Sequence, residues 1–171
     1  MDTKDVTDSL TTLFAELVNG AASRGGAFIL NSGDDGLLRS LDKLSADTAS
    51  NSVHGGATIA AHARHVQYGL SLMNRWAAEG GDPFSDATWD DAWKTSRVDD
   101  GQWAKIREEL RDEAQRWLAV LGAPRRVTPL ELSGLVGSIA HLAYHMGAIR
   151  QIAADARGPQ EGTFPAQASN R

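Results

Sequence analysis

There is no cysteine among the 171 residues. Disulfides, thiolate metal sites and cysteine nucleophiles are therefore excluded. Any tightly bound metal must be held by His, Asp, Glu or backbone oxygen. No segment alternates apolar and polar residues convincingly, so no strand is expected. No apolar run approaches the roughly 18 residues a membrane helix needs. The start, Met1-Asp2-Thr3-Lys4-Asp5, lacks the basic end and apolar core of a signal peptide. Basic clusters are missing too. Pro124-Arg125-Arg126 is too short to neutralise a run of phosphates. The expectation is a cytoplasmic protein with no membrane span and no nucleic-acid partner.

The chain is 42% hydrophobic and 23% charged, with a net charge of -5 and a mean hydropathy of -0.33. Such a composition folds rather than staying disordered, and the length suits one domain. Residues 81–100 hold six Asp against Lys94 and Arg97. Their spacing matches no EF-hand loop, so the stretch reads as a solvated acidic connection.

Four long helices are legible. In the first, residues 5–20, Val6, Leu10, Leu13, Phe14, Leu17 and Val18 recur at three- and four-residue intervals. Residues 21–56 read as irregular. They contain the short apolar run Ala27–Leu30 and a short helix near 35–45 that Asp34 or Asp35 would cap. The second long helix spans Ala57 to Glu79 and stops at Gly80-Gly81-Asp82-Pro83. The third spans Asp100 to Leu121 behind the capping box Asp99-Asp100-Gly101-Gln102. Trp103, Ile106, Leu110, Trp117 and Leu121 are its buried stripe. The fourth opens with Thr128-Pro129-Leu130-Glu131 and runs to about Arg157. Residues 158–171 read as a flexible tail.

The expected class is all-α, a four-helix bundle. Roughly 19 residues separate the second and third helices, more than antiparallel neighbours need. A long crossover with those helices parallel is therefore expected. Trp89 and Trp93 would pin it by packing into the core.

The histidines carry the chemistry. His141 and His145 are four residues apart, so one helix can direct both at one ion. On the second helix, Arg64, Gln67, Ser71, Asn74 and Arg75 form a polar arc, which sends His62 and His65 inward. Inward imidazoles are costly without partners. His65, His141 and His145, presented by two helices, suit zinc or another first-row divalent ion such as nickel. Three protein ligands leave an open position, where a bound water would have its pKa lowered towards about 7. His62 is expected either behind the ligands, touching substrate, or as a hydrogen-bonded core residue. His54, in the loop before the second helix, is expected to be structural. Gly134, Gly137 and Ser138 leave room for a pocket above the histidines. Tyr144 is expected outside the ligand set. No carboxylate is placed beside the trio, so the general base and any catalytic residue stay unassigned.

Thr58-Ile59-Ala60-Ala61-His62-Ala63-Arg64-His65-Val66 and His141-Leu142-Ala143-Tyr144-His145-Met146-Gly147 resemble the two histidine segments of the DinB/YfiT-like superfamily. That resemblance implies a single DinB-like four-helix bundle over residues 1–157, with the crossover between helices 2 and 3. It picks His65 over His62 as the ligand, together with His141 and His145. Ala148 departs from the glutamine that many members carry. The family implies a metal-dependent hydrolase or a transferase using a low-molecular-weight thiol, acting on a small-molecule substrate. The alternative is a non-enzymatic bundle that binds a metal or small ligand. A homodimer through an exposed helix face is left open. Without cysteine in the chain, any reacting thiol must arrive with a substrate or cofactor.

Overall fold

The computed structural model describes residues 3–22, 26–123 and 126–159. Among these residues the protein is all-helical, with no strand. Seven α-helices occur: α1 (Thr3–Asn19), α2 (Gly36–Asp42), α3 (Ala46–Ala49), α4 (Ile59–Glu79), α5 (Trp89–Trp93), α6 (Asp100–Gly122) and α7 (Pro129–Ile152). A 3-10 turn at Ala154–Ala156 follows. None of the described helices is long and apolar enough to cross a membrane.

The starts of the long helices are chemically marked. Asp99 accepts from the Gln102 N–H while the Gln102 side chain accepts from the Asp99 N–H. Thr128 and Glu131 make the same reciprocal pair before α7, with Pro129 at its first turn. Each closes amide groups that a helix start otherwise leaves unpaired. Thr58 starts α4: its hydroxyl accepts from the Ala61 N–H and donates to the Thr95 carbonyl. This bond ties the start of α4 to the connection from α5 to α6.

Helix α4 packs along α6: Arg64 meets Glu109 and Asn74 donates to Glu113. The polar arc of α4 therefore lies along α6 and the chain after Pro83, with Arg64 and Arg75 still partly open to water. No residue from Ile59 to Trp76 is exposed. Arg75 closes the lower end by pairing with Asp86 and donating to the Pro83 carbonyl.

The anticipated apolar stripes meet in one core. Phe14, Leu17, Leu110, Trp117, Leu121, Leu135, Leu142 and Ile149 are almost fully buried. Burying a side chain of this size stabilises the fold by about 1.5–3 kcal/mol relative to exposure. Both buried indoles keep a hydrogen-bond partner: Trp103 donates to the Leu44 carbonyl and Trp117 to Ser138 Oγ.

Several details differ from the sequence reading. The segment 21–56 is less irregular than expected, since α3 follows α2 within it. Asp35 holds the N-cap position of α2 without a side-chain bond, and the first amide of the helix is met by Asp34 instead. Asp34 is buried, accepting from the Gly36 N–H and pairing with Arg150 of α7 at 2.7 Å. The Ala27–Leu30 run is a bend in which Phe28, Ile29 and Leu30 donate their N–H groups to the buried Glu16 carboxylate. Phe28 itself is exposed. The last helix stops at Ile152, before Arg157, because Ala153 turns extended and the chain folds back to bury Ala156. Gly158 and Pro159 lie against the 31–34 loop, where Asn31 donates to the Pro159 carbonyl. The rest of the expected tail, residues 160–171, and Pro124-Arg125 of the short basic run lie outside the described residues.

Candidate metal centre

Helix α4 presents His62 and His65 within its first two turns, and α7 presents His141 and His145 one turn apart. The anticipated trio comes together. His141 Nε2 lies 3.1 Å from His65 Nε2 and 3.0 Å from His145 Nε2. The candidate ligand atoms of the three residues all fall within 4.8 Å of one another, so the group could hold a metal ion. His65 and His145 are buried; His141 and His62 are half-buried.

Protons alone satisfy this cluster poorly. A neutral imidazole carries one N–H and one lone pair. His141 Nε2 faces two other ring nitrogens with a single such group. If it donates, only one neighbour can receive. If it accepts, two donors crowd one lone pair. Three lone pairs directed at one cation resolve the conflict. The electrostatics favour that state. Burial pushes His145 down to about 3, with His141, His65 and His62 adding to the shift. Burial pushes His65 down to about 4, aided by His141 and His62. His62 and His141 are lowered by burial as well. The rings are therefore neutral at pH 7, which is the ligating form.

His62 sits behind the trio. Its Nδ1 lies 2.9 Å from His145 Nδ1. A proton on His145 Nδ1 donated to His62 leaves the His145 Nε2 lone pair directed at the other two rings. His65 is held differently. Its buried Nδ1 has no hydrogen-bond partner, and the ring is instead stacked on Trp93 at 4.2 Å, with Trp89 at 5.4 Å. Trp93 also meets His62 edge-on at 5.4 Å. These two tryptophans thus wall the histidine cluster instead of entering the core, contrary to the sequence reading. Neither is buried, and Trp93 is 37% exposed. Their four-residue spacing within an acidic connection was the available signal.

A cavity of about 240 Å³ adjoins His141. Gly69, Met73, Trp89, Gly137 and Leu142 are among the residues that line it. Gly134 and Ser138 line it too, as anticipated, but neither offers a reactive group. A Cβ on Gly134 would come within 2.7 Å of the Trp76 ring, so glycine is needed for that close approach. The Ser138 hydroxyl accepts from Trp117 and donates to the Leu135 carbonyl.

His54 stands apart. It is exposed, in a turn with φ of 53°, not a hydrogen-bonded core residue, and it is not part of the cluster. Tyr144 is 71% exposed and meets His145 edge-on at 5.0 Å, outside the three converging nitrogens. None of the four clustered histidines is hydrogen-bonded to a carboxylate among the described residues. Comparison of the chain with protein-family models, with curated proteins and with solved structures gives no match.

Proposed function

We propose that His65, His141 and His145 ligate one divalent ion, zinc or nickel, through their Nε2 atoms, in a DinB-like four-helix bundle of α1, α4, α6 and α7. The connection from Gly80 to Asp99 is the long crossover of that bundle. The observation that carries the metal reading is the meeting of three neutral, mostly buried ring nitrogens that cannot all be satisfied by one another. Their residue types and number match an open catalytic site more closely than a closed structural one.

A divalent ion held there supplies a Lewis acid beside a cavity, suited to polarising a carbonyl or to binding and activating a small thiol. The chain's own residues orient the ligands. His62 fixes the tautomer of His145, and Trp93 and Trp89 hold the plane of His65 and shield it from bulk water. The activity we favour is metal-dependent hydrolysis, or transfer of a low-molecular-weight thiol to an electrophile. Among the described residues no carboxylate is bonded to the histidines to act as base, so in this reading the proton acceptor in either reaction comes from the substrate side or from solvent. That same lack favours one alternative: a binding bundle that holds metal and ligand without turnover.

A panel of bacterial thiols and electrophiles, run with metal-loaded protein and with its His141→Ala variant, separates the two. Turnover lost in the variant supports the enzyme. Bound metal without turnover supports the binding module.

A further inference from the structure

The cavity beside His141 is almost wholly apolar, and this limits what can enter it. Its walls are Val66, Leu70, Met73 and Leu142 on the bundle side and the rings of Phe84 and Trp89 on the other. The polar side chains on its lining are Ser138 and His141. Ser138 is engaged with Trp117 and Leu135, which leaves the ring of His141 as the polar edge. A sugar or a peptide backbone placed here would lose its hydration without replacement bonds, an outcome that costs about 1–3 kcal/mol per group.

The aromatic wall is held in place before any ligand arrives. The Thr88 N–H donates to the Tyr68 hydroxyl, and Tyr68 meets Trp89 edge-on at 5.5 Å. Phe84 stacks along Trp89 with an angle of 17° between the rings. The opposite wall is open because Gly69 and Gly137 carry no side chain. A Cβ on Gly69 would reach the His141 ring at 3.6 Å, whereas one on Gly137 would meet nothing within 4 Å. An apolar cavity of about 150 Å³ is enough for benzene. One of about 240 Å³ therefore holds a substituted single ring or a small fused pair, and is smaller than a typical drug-sized pocket.

We infer that this cavity binds a small aromatic or branched aliphatic arm of the substrate, with the reactive end of that substrate lying at His141. The polar part, including any sugar-bearing thiol, lies outside the cavity. The placement of the reactive end rests on the proposed metal site. The apolar specificity does not.

The test uses NMR titration of the full chain, metal-free and zinc-loaded, with toluene, naphthalene and glucose. Both hydrocarbons are expected to bind in either form and to give intermolecular NOEs to the methyls of Met73 and Leu142, while glucose gives none. Gly137→Phe, which fills open space and removes a helical glycine, is expected to weaken naphthalene binding at least tenfold with unchanged metal content. Hydrocarbons that give no NOE to Met73 and Leu142 up to their solubility overturn the inference. So does glucose binding with those NOEs, or a folded Gly137→Phe protein that binds naphthalene as tightly as the parent. Hydrocarbon binding by a protein that takes up no metal removes the metal reading and leaves this one standing. Metal uptake without hydrocarbon binding does the reverse.

Discussion

His62 and His145 meet nitrogen to nitrogen, Nδ1 to Nδ1, at 2.9 Å across the α4–α7 contact. One of the two rings must carry the shared proton, and only the version with the proton on His145 frees its Nε2 for a cation. Groups that orient a ligating imidazole in this way typically change metal affinity 10–100-fold when removed. His62→Ala is therefore expected to weaken metal binding by about that factor, while His65→Ala and His141→Ala weaken it much further. Competition titration against a chelator measures both. Equal losses in all three variants would place His62 among the ligands instead of behind them.

Trp93 replaces a hydrogen bond as the support for His65, since the ring stacks on it at 4.2 Å and Nδ1 has no partner. Trp93→Ala should lower metal affinity without unfolding the protein, because the indole lies at the surface of the fold. The same closeness gives a direct signal. Nickel or cobalt bound to His65 should quench tryptophan fluorescence, and Trp93→Phe should remove much of the quenching. Quenching that is unchanged in the variant would show that the ion binds elsewhere.

Glu16 links acid stability to the 26–34 loop. Burial alone would raise its pKa, but the N–H groups of Leu30, Phe28 and Ile29 more than offset this and hold it below the ordinary 4.5. Its folded value is depressed, so its contribution is present above pH 4.5 and is lost as pH falls through the folded value. Glu16→Gln should lower stability at pH 7 by about 1.5–3 kcal/mol, the range for bonds to a charged group. Its stability should also fall less than the parent's between pH 5 and pH 3. Urea unfolding across that range checks both signs, and parallel pH curves would contradict the assignment.

Asp34 and Arg150 form a buried pair between the 31–34 loop and α7. Asp34→Ala removes the carboxylate from a buried guanidinium and should cost about 3–5 kcal/mol. Urea unfolding would show it as a large drop in midpoint. A loss below about 1 kcal/mol, as for an exposed pair, would mean the contact is not buried in solution.

The parts of this fold set by local chemistry could be read from the sequence. Asp99–Gln102 and Thr128–Glu131 are short-range devices, and both occur as expected. The stripes Leu135, Ile139, Leu142, Met146, Ile149 and Trp103, Ile106, Leu110, Trp117, Leu121 follow from helical periodicity, and all ten are buried. His65 and His145 were legible as inward residues for the same reason. Long-range pairings were not legible. Nothing near Glu16 announces that three amide groups twelve to fourteen residues later will fold onto it. Asp34 looks like a helix-start residue, and nothing near it shows that Arg150, 116 residues away, will also pair with it. The polar arc on α4 looked like a solvent face because periodicity cannot distinguish water from a neighbouring helix carrying Glu109 and Glu113. Trp89 and Trp93 were misplaced because the path of the 80–99 connection depends on Arg75, Asp86 and Tyr68, contacts that no local pattern encodes.

Metal content of tag-free protein tests the central claim most directly. The parent should hold about one zinc or nickel ion per chain after reconstitution, and bound ion in hundredfold excess over its Kd should raise unfolding free energy by about 2.7 kcal/mol. His141→Ala should lose both the ion and the stabilisation. A folded parent that takes up no stoichiometric divalent ion, with a stability indifferent to chelators, would contradict the account and leave the three histidines as structural residues.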